Sequence, residues 1–171
     1  FAWSLKAITD VLGAKEFVAE MMKNSATGMQ LLLPGIIFIV SVCLAFSTGT
    51  SWGTFGILIP IVVNVFAGHD SQMMIISISA CMAGAVCGDH CSPISDTTIM
   101  ASAGAQSNHI NHVNTQLPYA ITVAAVSFVC YIIAAFIRNA IISLFIAVVL
   151  MILVLFIIKK VTENEKNYDV D

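Results

Sequence analysis

Apolar residues form five runs along the chain, divided by short polar segments. The runs cover residues 29–46, 55–67, 73–87, 117–137 and 140–158. A helix needs about 20 apolar residues to cross the hydrocarbon core of a bilayer, so the longer runs predict transmembrane helices. The run at 55–67 is too short to cross alone.

The first polar interruption is the octet Ser47-Thr48-Gly49-Thr50-Ser51-Trp52-Gly53-Thr54. Its glycines and hydroxyl side chains separate a run long enough to span from one that is not. Two geometries fit this pattern: a re-entrant hairpin over 29–67 with the octet at its tip, or a spanning helix followed by a half helix. We favour the hairpin, with Gly49 and Gly53 breaking the helix.

The second interruption is Gly88-Asp89-His90-Cys91-Ser92-Pro93-Ile94-Ser95-Asp96-Thr97-Thr98. Pro93 cannot donate a backbone hydrogen bond and its ring clashes with the carbonyl group of Asp89, so it predicts a helix break. Gly88 is expected to end the first segment in the left-handed conformation. Ser95 or Asp96 can then cap a short helix that runs to about Gly104. These signals predict one discontinuous helix over 73–104.

The remaining boundaries follow from polarity. Residues 105–116 read as a polar loop, and the chain must turn near Arg138 because one helix over both later runs would be about 60 Å long. The predicted regions are an amphipathic or connecting helix at 1–28, a transmembrane region at 29–158 with spans at 117–137 and 140–158, and a charged tail at 159–171.

Composition supports a membrane protein. The chain is 58% hydrophobic and 10% charged, far more apolar than a soluble domain. The net charge of -3 and the lack of a basic stripe give no sign of nucleic-acid binding. The expected fold class is an all-α integral membrane protein, a polytopic bundle with a re-entrant hairpin and a discontinuous helix. Because the chain starts at Phe1 and shows no signal peptide, we expect it to be part of a longer protein.

Ionisable groups at membrane depth usually mark an ion or substrate path, which places the candidate site at the second break. Hard cations prefer oxygen ligands, and removal from water disfavours the charged form of a carboxylate, so Asp89 is expected to take a cation or a proton in exchange. Asp96 is either a ligand or a helix cap. The predicted ion-binding residues are Asp89, Asp96, Ser92, Ser95, Thr97 and Thr98, with Thr48, Thr50, Ser51 and Thr54 from the first break; the predicted helix-breaking residues are Gly88, Pro93, Gly49 and Gly53.

Other chemistry fits less well. His90 could relay protons, since histidine titrates near neutral pH, or it could be a hydrogen-bonded structural residue. Cys87, His90 and Cys91 have zinc-ligand character but lack a fourth ligand. His109 and His112 could share a helical face and bind metal, although they lie in the predicted loop. The sequence contains no H-E-x-x-H pattern, which would have suggested an enzyme such as a membrane metalloprotease. The alternative from a different functional class is a channel or a non-transporting membrane subunit.

Three motifs in order resemble the NhaC family of Na⁺/H⁺ antiporters: Gly49 to Thr54, Gly88 to Thr98, and Asn111-His112-Val113-Asn114-Thr115-Gln116-Leu117-Pro118-Tyr119-Ala120. The resemblance implies a bacterial inner-membrane secondary transporter, built from two inverted repeats, of which this chain is the C-terminal part. It implies Na⁺ and H⁺ as transported ions and no cofactor. The expected partners are the lipid bilayer and the N-terminal repeat, with a homodimer left open. Malate/lactate antiporters in the same family supply the alternative substrate.

Overall fold

The structure, a computed structural model, consists of α-helices and short connecting turns in the part of the chain that it describes. That part comprises residues 27–66, 68 and 70–168, together with positions 4, 7, 8, 11–13 and 20. The predicted helix at 1–28 lies mostly outside it. From residue 27 onward the helices are α1 (Thr27–Thr48), α2 (Ser51–Phe66), α3 (Ser71–Cys91), α4 (Asp96–Gly104), α5 (His109–Ile137) and α6 (Ala140–Tyr168).

Helices α1 and α3 run parallel and approach closely because their contact surface consists of small residues. A Cβ atom added at Gly84 would overlap the carbonyl oxygen of Phe38, and one added at Gly88 would overlap that of Val42. Ala45 is fully buried in the same contact. Small residues that let two backbones meet are typical of helix pairs in membranes.

The apolar core lies at the end of this helix pair where α1 and α3 begin. Leu33 of α1, Met73 of α3 and Ala135 of α5 pack there with Val62 and Phe66 from the end of α2. Since α2 starts beside the end of α1 and finishes beside its beginning, α1 and α2 form an antiparallel pair. They are joined by Gly49 and Thr50 alone, and Gly49 has a φ of 66°.

The same end of the molecule carries an ion pair that joins α3 to α5. The Asp70 carboxylate accepts a hydrogen bond of 3.0 Å from the Met73 amide at the start of α3, and it pairs with Arg138 at 2.9 Å. Arg138 ends α5 in the left-handed conformation with a φ of 53°. The chain turns at Arg138 and Asn139 into α6, which packs on α5. Asp89 lies about 28 Å further along α3 from Asp70, at the opposite end of the helix.

Four described helices are long and apolar enough to cross a membrane. They are α1, α3, α5 and α6, whereas α2 is shorter. These lengths fit both geometries considered for residues 29–67, and the re-entrant character of the α1–α2 pair stays a prediction.

Three local predictions are wrong. Gly88 lies inside α3, buried against α1, and Gly53 lies inside α2, so neither breaks a helix. Packing explains Gly88, because only a residue without a side chain fits beside the carbonyl of Val42. Residues 109–116 are helical instead of looped, since the Asn108 side chain accepts a hydrogen bond of 3.0 Å from the Asn111 amide and caps α5.

The α1–α3 contact makes a testable prediction about Gly88. Replacing Gly88 by Ala should lower the free energy of unfolding by about 1–3 kcal/mol, the usual cost of overpacking. The gain in helix propensity, about 1 kcal/mol, offsets only part of that cost. The check is the midpoint of heat-induced loss of monodisperse protein in detergent, with Gly104→Ala as the control because an added Cβ there meets nothing within 4 Å. Equal midpoints for the two variants would contradict the packing argument.

Candidate functional site

The break between α3 and α4 spans Ser92 to Ser95. The α-helix ends at Cys91, and Pro93 follows within the turn. The carbonyl group of Asp89, with which the Pro93 ring would clash in a continuous helix, accepts a hydrogen bond of 3.1 Å from the Ser92 amide. The helix therefore ends in a tighter turn, in which the carbonyl oxygen of Asp89 already accepts one hydrogen bond.

The side chain of Asp89 lies at the centre of the site. Asp89 is 6% exposed, and its carboxylate accepts a hydrogen bond of 2.7 Å from the Ser95 hydroxyl. The Ser95 oxygen in turn lies 2.7 Å from the Thr97 hydroxyl oxygen. A serine hydroxyl has only one hydrogen, so when Ser95 donates to Asp89 it must accept from Thr97. We call these three residues the Asp89 chain.

Hydroxyl groups on both sides of the break serve the backbone. Ser92 donates at 2.7 Å to the carbonyl oxygen of Phe46, one of the last four carbonyls of α1, which lack partners within the helix. Thr98 donates at 3.1 Å to the carbonyl of His90. These two predicted ion ligands thus hold the break in place.

The two predicted breaks lie against each other. A Cβ atom added at Gly49 would come within 2.9 Å of the carbonyl oxygen of Ile94. The positive φ of Gly49 and this contact both favour glycine at that position. The turn between α1 and α2 is thereby packed against the turn between α3 and α4.

Among the described residues, the hydroxyl groups of the first break form hydrogen bonds only with residues three or four positions away in the sequence. Thr48 donates at 2.8 Å to the carbonyl of Leu44, and the buried Thr54 donates at 3.1 Å to that of Thr50. The Thr50 hydroxyl accepts from the Gly53 amide at 3.4 Å, and Ser51 is half-buried. None of these hydroxyls has a hydrogen bond to the Asp89 chain in the described part of the protein.

Asp96 and His90 also lie apart from the Asp89 chain. Asp96 is exposed, and its carboxylate accepts a hydrogen bond of 2.8 Å from the Thr97 amide in the first turn of α4. The exposed His90 ring lies 3.1 Å from the carbonyl oxygen of Val86 one turn earlier. The geometry favours a helix-end role for Asp96 and a hydrogen-bonded structural role for His90.

Two residues at the break were not predicted from the sequence. The His109 ring reaches the carbonyl oxygen of Pro93 at 2.7 Å, and the Gln116 amide donates at 3.0 Å to that of His90. Both belong to the stretch interpreted as a loop. The capping residue Asn108 was the available signal, because a helix starting there places positions 109 and 116 two turns apart on one face.

The arrangement suits the binding of a small cation or a proton. No described lysine, arginine or histidine forms an ion pair with Asp89, and a buried carboxylate without an oppositely charged partner is energetically unfavourable. Its neighbours are hydroxyl oxygens, which hard cations accept as ligands. Within the described residues no group of three or more His, Cys, Asp or Glu side chains could hold a metal ion, so the zinc interpretation of Cys87, His90 and Cys91 gains no support.

Comparison with known proteins identifies relatives. The model of the Na⁺/H⁺ antiporter family matches residues 1–136. An uncharacterized protein of Haemophilus influenzae is 44% identical over 160 residues, which are 94% of this chain and 30% of that protein. No solved structure matches the chain.

Two further relatives carry functional names. A protein of Haemophilus influenzae described as an uncharacterized Na⁺/H⁺ antiporter is 42% identical over 75 residues, covering 44% of this chain and 15% of that protein. The malate-2H⁺/Na⁺-lactate antiporter of Bacillus subtilis is 26% identical over 113 residues, covering 64% of this chain and 24% of that protein. The chain thus spans less than a third of the length of each relative.

The hydrogen bond from Ser92 to Phe46 yields a stability prediction. Ser92 is fully buried, and Ser92→Ala leaves the Phe46 carbonyl without this donor, which should lower the free energy of unfolding by about 0.5–1.5 kcal/mol. The measurement is the thermal midpoint in detergent. Ser47→Ala is the matched control, because the exposed Ser47 hydroxyl bonds only to the Cys43 carbonyl within its own helix. If both variants have the same thermal midpoint as the wild type, the hydrogen bond from Ser92 to Phe46 does not stabilise the protein.

Proposed function

The chain belongs to the Na⁺/H⁺ antiporter family, and on this premise we propose that it forms the part of a secondary transporter that binds Na⁺ and H⁺ in turn at Asp89. The observation that carries the proposal is the buried Asp89 carboxylate, held by Ser95 and unpaired with any described basic side chain. Such a group is stabilised by taking up either a cation or a proton.

Competition for one carboxylate is sufficient for exchange. Na⁺ binds the ionised carboxylate and uses the lone pairs of the Ser95 and Thr97 oxygens. A proton neutralises the same carboxylate and removes the charge that attracted Na⁺. Both loaded forms carry less uncompensated charge than the free site, and only they change the side to which the site opens. The ionised, unloaded site is too costly to move through an apolar environment.

The remaining ligands are proposed to come from outside this chain. The carbonyls of Phe46, His90 and Pro93 already accept side-chain donors, so the break offers few spare backbone oxygens. Thr97 is exposed beside the buried Asp89. The chain spans less than a third of its relatives, and on the resemblance to the NhaC family we assign it to the C-terminal repeat. An N-terminal repeat would then complete the site, in a bacterial inner-membrane protein.

One relative favours an organic acid as a second candidate substrate, because it is described as a malate-2H⁺/Na⁺-lactate antiporter. A carboxylate substrate would need a donor or a positive charge at its site. The Asp89 chain instead presents a carboxylate and two hydroxyls. Arg138, which is the ion-paired arginine of the described residues, lies far from it, beside Asp70 at the opposite end of α3. A cation therefore fits this half of the site better.

Neutralising Asp89 should abolish exchange. We expect Asp89→Asn, in the full-length protein reconstituted in proteoliposomes, to lower Na⁺-driven proton movement by about 100-fold or more, since losing one partner of a buried ion pair costs about 3–5 kcal/mol. A pH-sensitive dye inside the vesicles reports the response to Na⁺, malate and lactate. Asp96→Asn is the control, because the Asp96 carboxylate is exposed. Full exchange by Asp89→Asn would overturn the assignment, and a response that requires malate or lactate would favour the second candidate.

The hydroxyls of the Asp89 chain should set the affinity for Na⁺. Ser95→Ala removes the hydrogen bond to the carboxylate and one cation ligand, so the KM for Na⁺ should rise about 10- to 100-fold, as expected for a hydrogen bond to a charged group. Thr97→Ser keeps a hydroxyl and should stay close to the wild type, whereas Thr97→Val should resemble Ser95→Ala. The same vesicle assay, run over a range of Na⁺ concentrations, measures these KM values. A normal KM for Ser95→Ala would remove Ser95 from the site.

A further inference from the structure

Helix α5 contacts the break through two hydrogen-bonding side chains. The His109 Nε2 atom lies 2.7 Å from the carbonyl oxygen of Pro93, and the Gln116 Nε2 atom donates at 3.0 Å to the carbonyl oxygen of His90. One of these carbonyls lies at the end of α3, and the other lies within the linker to α4.

The spacing of the two donors matches the geometry of a helix. Residues 109 and 116 are seven apart, so they share one face of α5 and lie about 10.5 Å apart along its axis. Because both side chains extend from the same helix, their two contacts fix the end of α3 and the start of the linker relative to α5.

The His109 ring is held at both nitrogen atoms. A carbonyl oxygen can only accept, so Nε2 must carry the hydrogen that reaches Pro93. The Nδ1 atom, an acceptor in this tautomer, lies 3.0 Å from the hydroxyl oxygen of Ser102, a buried residue of α4. The single Ser102 hydrogen is shared between two acceptors, Nδ1 and the Ile99 carbonyl oxygen at 2.9 Å. The ring therefore connects the linker, α4 and α5.

These contacts act on the Asp89 chain through the backbone. Pro93 is two residues before Ser95, whose hydroxyl bonds to Asp89. We infer that His109 and Gln116 are positioning residues for ion exchange, which clamp the end of α3 and the α3–α4 linker so that the Ser95 hydroxyl stays on the Asp89 carboxylate. The effect on transport rests on the proposed function, whereas the clamp concerns only the structure of the break.

The transport test compares variants of the full-length protein in proteoliposomes. His109→Ala and Gln116→Leu should each raise the KM for Na⁺ about three- to tenfold, the effect of one lost hydrogen bond. His109→Gln should restore the KM to near the wild-type value, because the glutamine amide can donate to the Pro93 carbonyl. The matched control is His112→Ala, since no described residue forms a hydrogen bond with the His112 ring and it lies on the same helix.

A folding defect would have a different signature. It would reduce the number of active transporters, and so lower the maximal rate without changing the KM for Na⁺. That result for His109→Ala would overturn the positioning role, as would a failure of His109→Gln to restore the KM.

A second measurement tests the clamp without transport. Hydrogen–deuterium exchange should be faster for the peptide covering residues 92–98 in His109→Ala and Gln116→Leu than in the wild type or His112→Ala. Unchanged exchange would overturn the clamp. If the wild type moves no protons in response to Na⁺, the proposed function fails and the transport role fails with it. If the wild type is active and His109→Ala keeps its KM, only this inference fails.

Discussion

Backbone carbonyl groups at a helix break need hydrogen-bond donors wherever water is excluded, and this constraint shapes the whole end of the molecule that holds Asp89. Ser92 supplies a donor to Phe46 at the end of α1, and side chains from α4 and α5 supply donors to His90 and Pro93. Each bond satisfies a polar atom and also joins two elements. The break is therefore a well-connected part of the described structure.

Asp89 differs from the groups around it because its charge is not compensated by a described basic side chain. Ser95 donates one hydrogen bond to the carboxylate, which orients it without neutralising it. The contrast between satisfied carbonyls and an uncompensated carboxylate favours a reversible occupant. The hydroxyls of Ser92 and Thr98, which were also predicted as ion ligands, donate their hydrogens to backbone carbonyls in this structure.

The close contact of α1 and α3 fixes the backbone on which this site is built. Glycines on α3 bring its backbone against the carbonyls of Phe38 and Val42, so Asp89, one residue after Gly88, is held beside the end of α1. At the other end of α3, the apolar core around Met73 and the ion pair of Asp70 with Arg138 join the same helices. Helix α3 is thus anchored at both ends, and Asp89 has a defined position relative to α1 and α5.

The sequence alone determined the membrane-spanning character and the interruption at Pro93, and it selected Asp89 as the candidate site residue, because hydropathy, the missing amide of proline and the cost of a buried charge follow from residue types and their order. It could not assign partners to the hydroxyls: Ser95 and Thr97 reach the carboxylate, whereas Ser92, Thr98, Thr48 and Thr54 bond to backbone carbonyls. Gly88 looked like a helix end, and only packing against α1 explains it as a contact residue. The contacts of His109 and Gln116 with the break were not predicted either, because they depend on how α5 packs against it. Which oxygen receives which donor depends on how α1, α4 and α5 surround the break, and that arrangement exists only in the tertiary structure.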